Sequence, residues 1–302
     1  MKVHIFKLLL LLVTSYSIQA QDYVDILRLS SNNTIFKNSQ DKYNTRVYNQ
    51  YLQFSYPIRA NENLVFITGL TAENTSIPLL STKCENLLML RLSLGLKHNH
   101  SEKWTGTYVL LPKIASNFKH IGRKAFQIGG LGLLDYQISD LWKIKFGVYV
   151  SSENHGSTIT PLLGLWYRSP NRKFYVDVVL PIRLDINYTI VKSFSVGVDL
   201  ASSVKAYDLS TESIGLYVQE ESIRAGVYLS YSFLDDALIF RLRGGYDTTG
   251  YGVYNSDDIL GAQLLLFPLK TDDRNRLYPE LKDGFYFGGD LMYRFDLRKE
   301  KK

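Results

Sequence analysis

The chain of 302 residues has one cysteine, Cys84. A single thiol closes no intramolecular disulfide, so the fold owes nothing to crosslinks, and its distance from the N-terminus argues against a lipid-attached protein. No window approaches 18 consecutive apolar residues, which excludes a membrane protein built from helices. Nor does the body of the chain hold a basic run. Its 35 basic and 29 acidic residues are intermixed and leave a net charge of +6, which gives no footprint for nucleic acid. The one basic cluster, Arg298 to Lys302, is expected to be a solvated tail. Linkers, low-complexity tracts and repeats of 20–50 residues are also missing, so a single domain is expected.

What the chain does have is aromatic residues and alternation. Tyrosine occurs 22 times, and Phe, Trp and Tyr make up 13% of the sequence. Side chains of a strand change faces at every residue. From Phe285 to Leu297 every odd position is apolar or Gly, while even positions carry Asp290, Arg294 and Asp296. Leu88, Leu90, Leu92, Leu94 and Leu96 alternate with Met89, Arg91, Ser93, Gly95 and Lys97; a soluble protein would not expose that leucine row. Similar rows run through Trp142–Val150, Phe194–Leu200 and Ile223–Phe233. One face is suited to hydrocarbon and the other to water. This predicts an all-β protein, a transmembrane antiparallel up-and-down β-barrel of about 14 strands, with 12 as the alternative.

The turns agree with the faces. Phe233 and Leu238 face outward across Asp235-Asp236 with opposite parity, whereas Ile138 with Trp142, and Ile190 with Phe194, keep parity across three residues. Two places are ambiguous. Leu180-Pro181 is either a tight corner or a kink in one long strand, and 259–267 is either a wall strand or part of a long excursion. An even count requires that only one of them add a strand. Loops 33–43, 75–85, 116–124, 153–159 and 208–220 then fall on the outer side.

Met1 to Ala20 joins basic Lys2 and Lys7, the apolar run Leu8–Val13 and a small-residue end at Ala20, and is expected to be a cleavable signal peptide. The barrel domain is then 21–302, with 33 basic against 29 acidic residues. Export implies the outer membrane, with membrane lipid and the barrel-assembly machinery as partners, no nucleic acid and a monomeric state.

Pro161-Leu-Leu-Gly164, the Leu180-Pro181 corner followed by Tyr188, and the closing Tyr293-Arg294-Phe295 resemble an uncharacterised family of outer-membrane β-barrels of Gram-negative bacteria, a domain of unknown function. The similarity runs over most of the mature chain. It implies fold and location and supplies no catalytic or binding residue.

Sites must therefore be sought in the residues. His155-Gly-Ser157 is similar to the His-x-Ser pair of outer-membrane phospholipases and lipid A deacylases, but the orienting residue is missing: Ser169 and Asn171 fall at the opposite rim. A polar loop is the simpler account, and no enzyme is expected. His98, His100 and Glu102 fall short of the three or four ligands a zinc site needs, and no cofactor or metal is expected. Asn-x-Ser/Thr tripeptides begin at Asn32, Asn74 and Asn187 and are taken as chance.

The inward positions are more informative. Arg91, Lys143, Lys145, Asp177, Arg183, Asp185, Asp199, Arg224, Arg241, Arg243, Asp290 and Arg294 all point to the lumen. They either pair and stiffen the wall or line a narrow, slightly cationic pore favouring anionic solutes, with Arg241 and Arg243 as its first candidates. Inward Gly95, Gly147, Gly197 and Gly226 leave space and favour the pore. The expected function is a porin-like channel for small solutes; the alternatives are a non-conducting structural or surface-binding protein and, less favoured, a lipid hydrolase.

Overall fold

In the computed structural model, residues 23–38, 44–79, 84–209, 211, 214–265, 267–277 and 281–296 are described. The expected signal segment and the Arg298–Lys302 tail lie outside these residues. Strands β1 (Tyr23–Asn38), β2 (Thr45–Arg59), β3 (Leu64–Pro78), β4 (Cys84–Asn99), β5 (Trp104–Ser116), β6 (Phe126–Ser139), β7 (Trp142–Glu153) and β8 (Gly156–Arg168) follow one another as antiparallel staves. The short β9 (Phe174–Leu180) and β10 (Arg183–Val191), then β11 (Phe194–Asp208) and β12 (Leu216–Phe233), continue the ring. β13 (Leu238–Asp247) and β14 (Gly250–Asn255) pair in turn with β12 and form one stave broken at Thr248-Thr249. β15 (Gly261–Leu264) and β16 (Phe267–Pro268) lie outside the ring, and β17 (Leu281–Asp296) closes it between β13 and β1. The result is a closed antiparallel barrel of fourteen staves.

Both ambiguous places are settled. Leu180-Pro181 is a corner between two strands, with Arg183 opposite Val179, and 259–267 adds no stave. The parity-keeping turns contain a bulge: Gln137 pairs with Lys143 and Ser139 with Trp142, leaving Ile138 as the extra residue, and Ile190 does the same beside Val191 and Phe194. The three-residue loops of the sequence argument are therefore two-residue turns plus one bulged residue. Several expected outer loops are shorter than predicted, because β1, β3 and β12 extend into them and β7 turns into β8 across Asn154-His155 alone.

The outward row is apolar around the ring, with Leu90, Leu92, Leu94 and Leu110 each 41–49% exposed. Aromatic rings gather where the turns are shortest: Trp142 against Tyr167 at 4.4 Å, Tyr231 against Phe233 at 6.2 Å, Phe54 against Tyr56 at 6.5 Å. A belt of this kind marks a membrane interface, and the rim whose connections run two to five residues is the periplasmic one.

Candidate functional site

The lumen is the candidate site, and its two ends differ. Toward the periplasm, inward Tyr51, Gln53, Arg91, Ser93, Lys97, Val109, Leu131 and Tyr149 are half-buried, so solvent reaches them. Toward the outside, inward Phe36, Val47, Asn49, Thr75, Ile77, Leu87, Met89 and Ala115 are 5% exposed or less. A barrel wall alone cannot bury them. They are covered by strands that leave the wall.

β10 stops pairing with β11 at Ala201, and β14 makes no ladder with β17, whose pairing with β13 ends at Asp247 and Gly284. Residues 202–208 of β11, 216–221 of β12 and all of β14 thus form a three-stranded sheet with neither edge in the wall. It crosses the lumen until Asp208 meets Ser116 of β5 on the far side. Both of its faces are buried: Tyr207, Tyr217, Val218 and Tyr251 have no exposure.

One face packs dry against β1–β5. Tyr207, Val218, Tyr251 and Val253 join Phe36, Val47, Ile77, Leu79, Leu87, Met89, Ala115, Leu209 and Leu281 in one core. Each large side chain there contributes about 1.5–3 kcal/mol by burial. Beneath it Lys205 Nζ donates to Glu73 Oε1 at 2.7 Å and Glu220 Oε1 at 3.2 Å, while Asn49 donates to Glu73 at 2.9 Å. A buried ion pair is close to neutral against an apolar pair of the same shape, so the core supplies the cohesion and the ions fix the register.

The other face meets the excursion after β14. Arg274 donates to Tyr217 Oη at 2.8 Å and Gln219 Oε1 at 2.7 Å and lies 4.0 Å over the Tyr254 ring; Gln219 reaches Gln263 of β15. β15 runs parallel to the first residues of β8, above the low β9–β10 corner. The free edges are satisfied locally. Ala206 N–H donates to Glu153 Oε2 at 2.9 Å and its carbonyl accepts from Gln127, while Val253 and Tyr251 carbonyls accept from Leu277 N–H and the Arg276 side chain.

The twelve charges expected in the lumen are there, and ten of them pair. Arg241 reaches Asp185 at 3.8 Å and stacks on Tyr228 at 3.8 Å. Arg243 bridges Asp199 at 3.4 Å and Asp290 at 2.5 Å. Arg224 holds Asp247, Arg294 holds Asp25, and Lys145 and Arg183 share Asp177. Arg241 and Arg243 are thus committed to the wall rather than free to a solute. Of the twelve, Arg91 and Lys143 lack an ion pair among the described residues. The glycine argument also fails: a β-carbon on Gly226 would strike the Tyr286 hydroxyl and one on Gly197 the Tyr228 ring, while Gly95 and Gly147 lie against neighbouring backbone. Tyrosine side chains occupy the supposed pore space at Gly197 and Gly226.

The other candidates separate. His155 is fully buried and its Nε2 meets Thr158 Oγ1 at 3.1 Å, while Ser157 faces outward and pairs in register with Ser152. Burial pushes the His155 pKa down to about 4. Ser169 donates to Asn171 at the opposite rim, so no hydrolase triad assembles from these residues. His98 Nδ1 lies 3.1 Å from His100 Nδ1, and His100 Nε2 lies 3.1 Å from Tyr108 Oη. Among the described residues no three His, Cys, Asp or Glu groups gather as metal ligands. The inward-crossing sheet was missed from sequence. Its one signal is Gln219 and Glu221, polar residues in the parity that faces lipid lower on β12.

The fold and lumen define an outer-membrane β-barrel. Residues 32–258 match the model of the family described as a domain of unknown function, DUF6268, and the chain belongs to that family. No protein with a curated description matches it. Among solved structures it is similar to the COG4313 outer membrane channel from Pseudomonas putida F1, with 8% identity over 94% of this chain and 100% of that one and a TM-score of 0.46. It is also similar to the P. putida toluene transporter TodX, with 11% identity, coverage of 89% and 88%, and a TM-score of 0.36. The NanC porin shares 10% identity over 87% and 98%, with a TM-score of 0.37.

Proposed function

We propose that the protein is a small-solute channel of the outer membrane that is closed at its extracellular end by the inward-crossing sheet. One observation carries this: three staves leave the wall above a solvent-reachable vestibule, and apart from one backbone bridge between Asp208 and the end of β5 their edges are tied to side chains and to the excursion. Strands serving the wall alone would keep their ladder partners, because unpaired backbone in a membrane is costly. A sheet whose edges carry no wall ladder beyond that bridge can move as a unit, the requirement for a gate. General diffusion is disfavoured, since the dry core blocks the path.

A second account has support in that same core. A non-conducting structural or surface-binding protein would also fill its outer lumen, and the packing is as dry as a domain interior. Planar bilayers separate the two. Wild-type protein should be silent at rest, and Lys205→Ala, which leaves Glu73 and Glu220 facing each other unpaired, should produce stepwise conductance. Inserted, heat-modifiable Lys205→Ala protein that stays silent at every voltage would overturn the gate and leave the structural role.

A further inference from the structure

Most cations of the vestibule are paired, and those that are not include two near the periplasmic mouth. Lys97 and Lys143 make no ion pair or hydrogen bond among the described residues; Lys143 lies 5.5 Å over the Trp166 ring. The ladder sets them on one inner surface. Lys97 stands opposite Thr107, Thr105 opposite Asp135, Asp135 opposite Lys145, and Lys143 between Gln137 and Trp166. Lys143 lies in the field of Lys97, Asp135, Lys145 and Asp140, and Lys97 in that of Asp135 and Lys145. Lys145 is taken by Asp177 at 2.6 Å, which Arg183 shares. Lys143 thus has only the Trp166 ring as a partner. Lys143 and Trp166 are 8% and 6% exposed, and Trp166 Nε1 and Asp135 Oδ1 are buried with no partner.

Buried donors and acceptors left unmade are costly, so a surface with this surplus is complementary to a ligand that supplies the missing halves. Two ammonium groups and an indole N–H want an oxyanion. Asp135 wants a donor. We propose that this patch binds a small hydroxy- or amino-carboxylate entering from the periplasm, its carboxylate accepting from Lys97, Lys143 and Trp166 Nε1 and its hydroxyl or ammonium donating to Asp135 Oδ1. A plain oxyanion leaves Asp135 unpaired, and a neutral polyol leaves both ammonium groups unpaired. The site lies on the periplasmic side of the seal, so it fills whether or not the crossing sheet moves.

The test is calorimetric titration of the full chain in detergent with lactate, acetate and inorganic phosphate. Lactate should bind about tenfold tighter than either of the others, a factor that one charge-assisted hydrogen bond supplies. Lys97→Gln and Lys143→Gln should each weaken lactate about tenfold, Asp135→Asn should erase its advantage over acetate, and Lys119→Gln at the other rim should change nothing. If a Gln variant does not fold, Lys97→Arg and Lys143→Arg keep the charge and must retain binding. No lactate binding by the wild type, equal binding by the Gln variants, or acetate and phosphate as tight as lactate would overturn the site. Lactate binding by a barrel that never conducts would remove the gate alone, and a conducting barrel without it would remove this site alone.

Discussion

Asn49 and Tyr51 stand two residues apart on the inner face of β2, and solvent reaches only Tyr51. The periplasmic and extracellular halves share one wall and one alternation. They differ in what lies opposite. In the periplasmic half the inward side chains face water and pair as Arg–Asp, across neighbouring strands at Arg243–Asp290 and Arg294–Asp25 and over an intervening strand at Arg243–Asp199. In the extracellular half they face a second sheet, and Phe36, Leu87 and Met89 become core. Inward polarity therefore reflects where three other strands go, not a property of the stave itself.

The largest effect that would break this comparison is removal of the cation holding the crossing sheet. Lys205→Ala leaves two buried carboxylates uncompensated and should cost about 3–5 kcal/mol, read as a fall in the denaturant midpoint. An equally large loss from Arg294→Ala, whose partner Asp25 is partly solvated at the periplasmic mouth, would mean the halves do not differ.

Next in size is the lipid face. Leu92→Arg places a charge on the outward row and should destabilise by about 2–4 kcal/mol, whereas Ser93→Arg points into the vestibule and should fold. Heat-modifiable gel migration reads both, and equal behaviour would contradict the face assignment.

At mildly acidic pH a smaller effect, growing as pH falls toward 4, belongs to His155 in the extracellular half. Burial holds His155 neutral down to about pH 4, against an ordinary value near 6.5. The unfolded chain takes up this proton first as pH falls, so stability should be full above pH 6.5 and decline toward pH 4 by up to about 1.4 kcal/mol per pH unit from this group. His155→Gln should flatten that slope. A slope unchanged by the substitution would show that His155 is not buried neutral.

The wall was legible because lipid leaves no freedom: Leu90, Leu92 and Leu94 must alternate with inward residues in any register that closes a barrel. The bulges at Ile138 and Ile190 were visible only as kept parity, since a bulge and a longer turn shift the face alike. The crossing sheet was not legible. Residues 202–208 and 250–255 alternate as wall strands do, and nothing local records that β10 begins only at Arg183 and so leaves β11 unpaired beyond Ala201. The charges were found but not their pairing, because Arg243 lies 47 residues from Asp290 and 44 from Asp199.

Thiol labelling in a Cys84→Ser background tests the two-ended lumen most directly. Ser93→Cys and Thr75→Cys place one thiol in the vestibule and one beneath the crossing sheet, both inward and on neighbouring strands. With a small charged thiol reagent, the folded Ser93→Cys barrel should label within minutes, while Thr75→Cys should label only after denaturation. Rapid labelling of folded Thr75→Cys protein at the Ser93→Cys rate would show that the extracellular half is open and contradict the account.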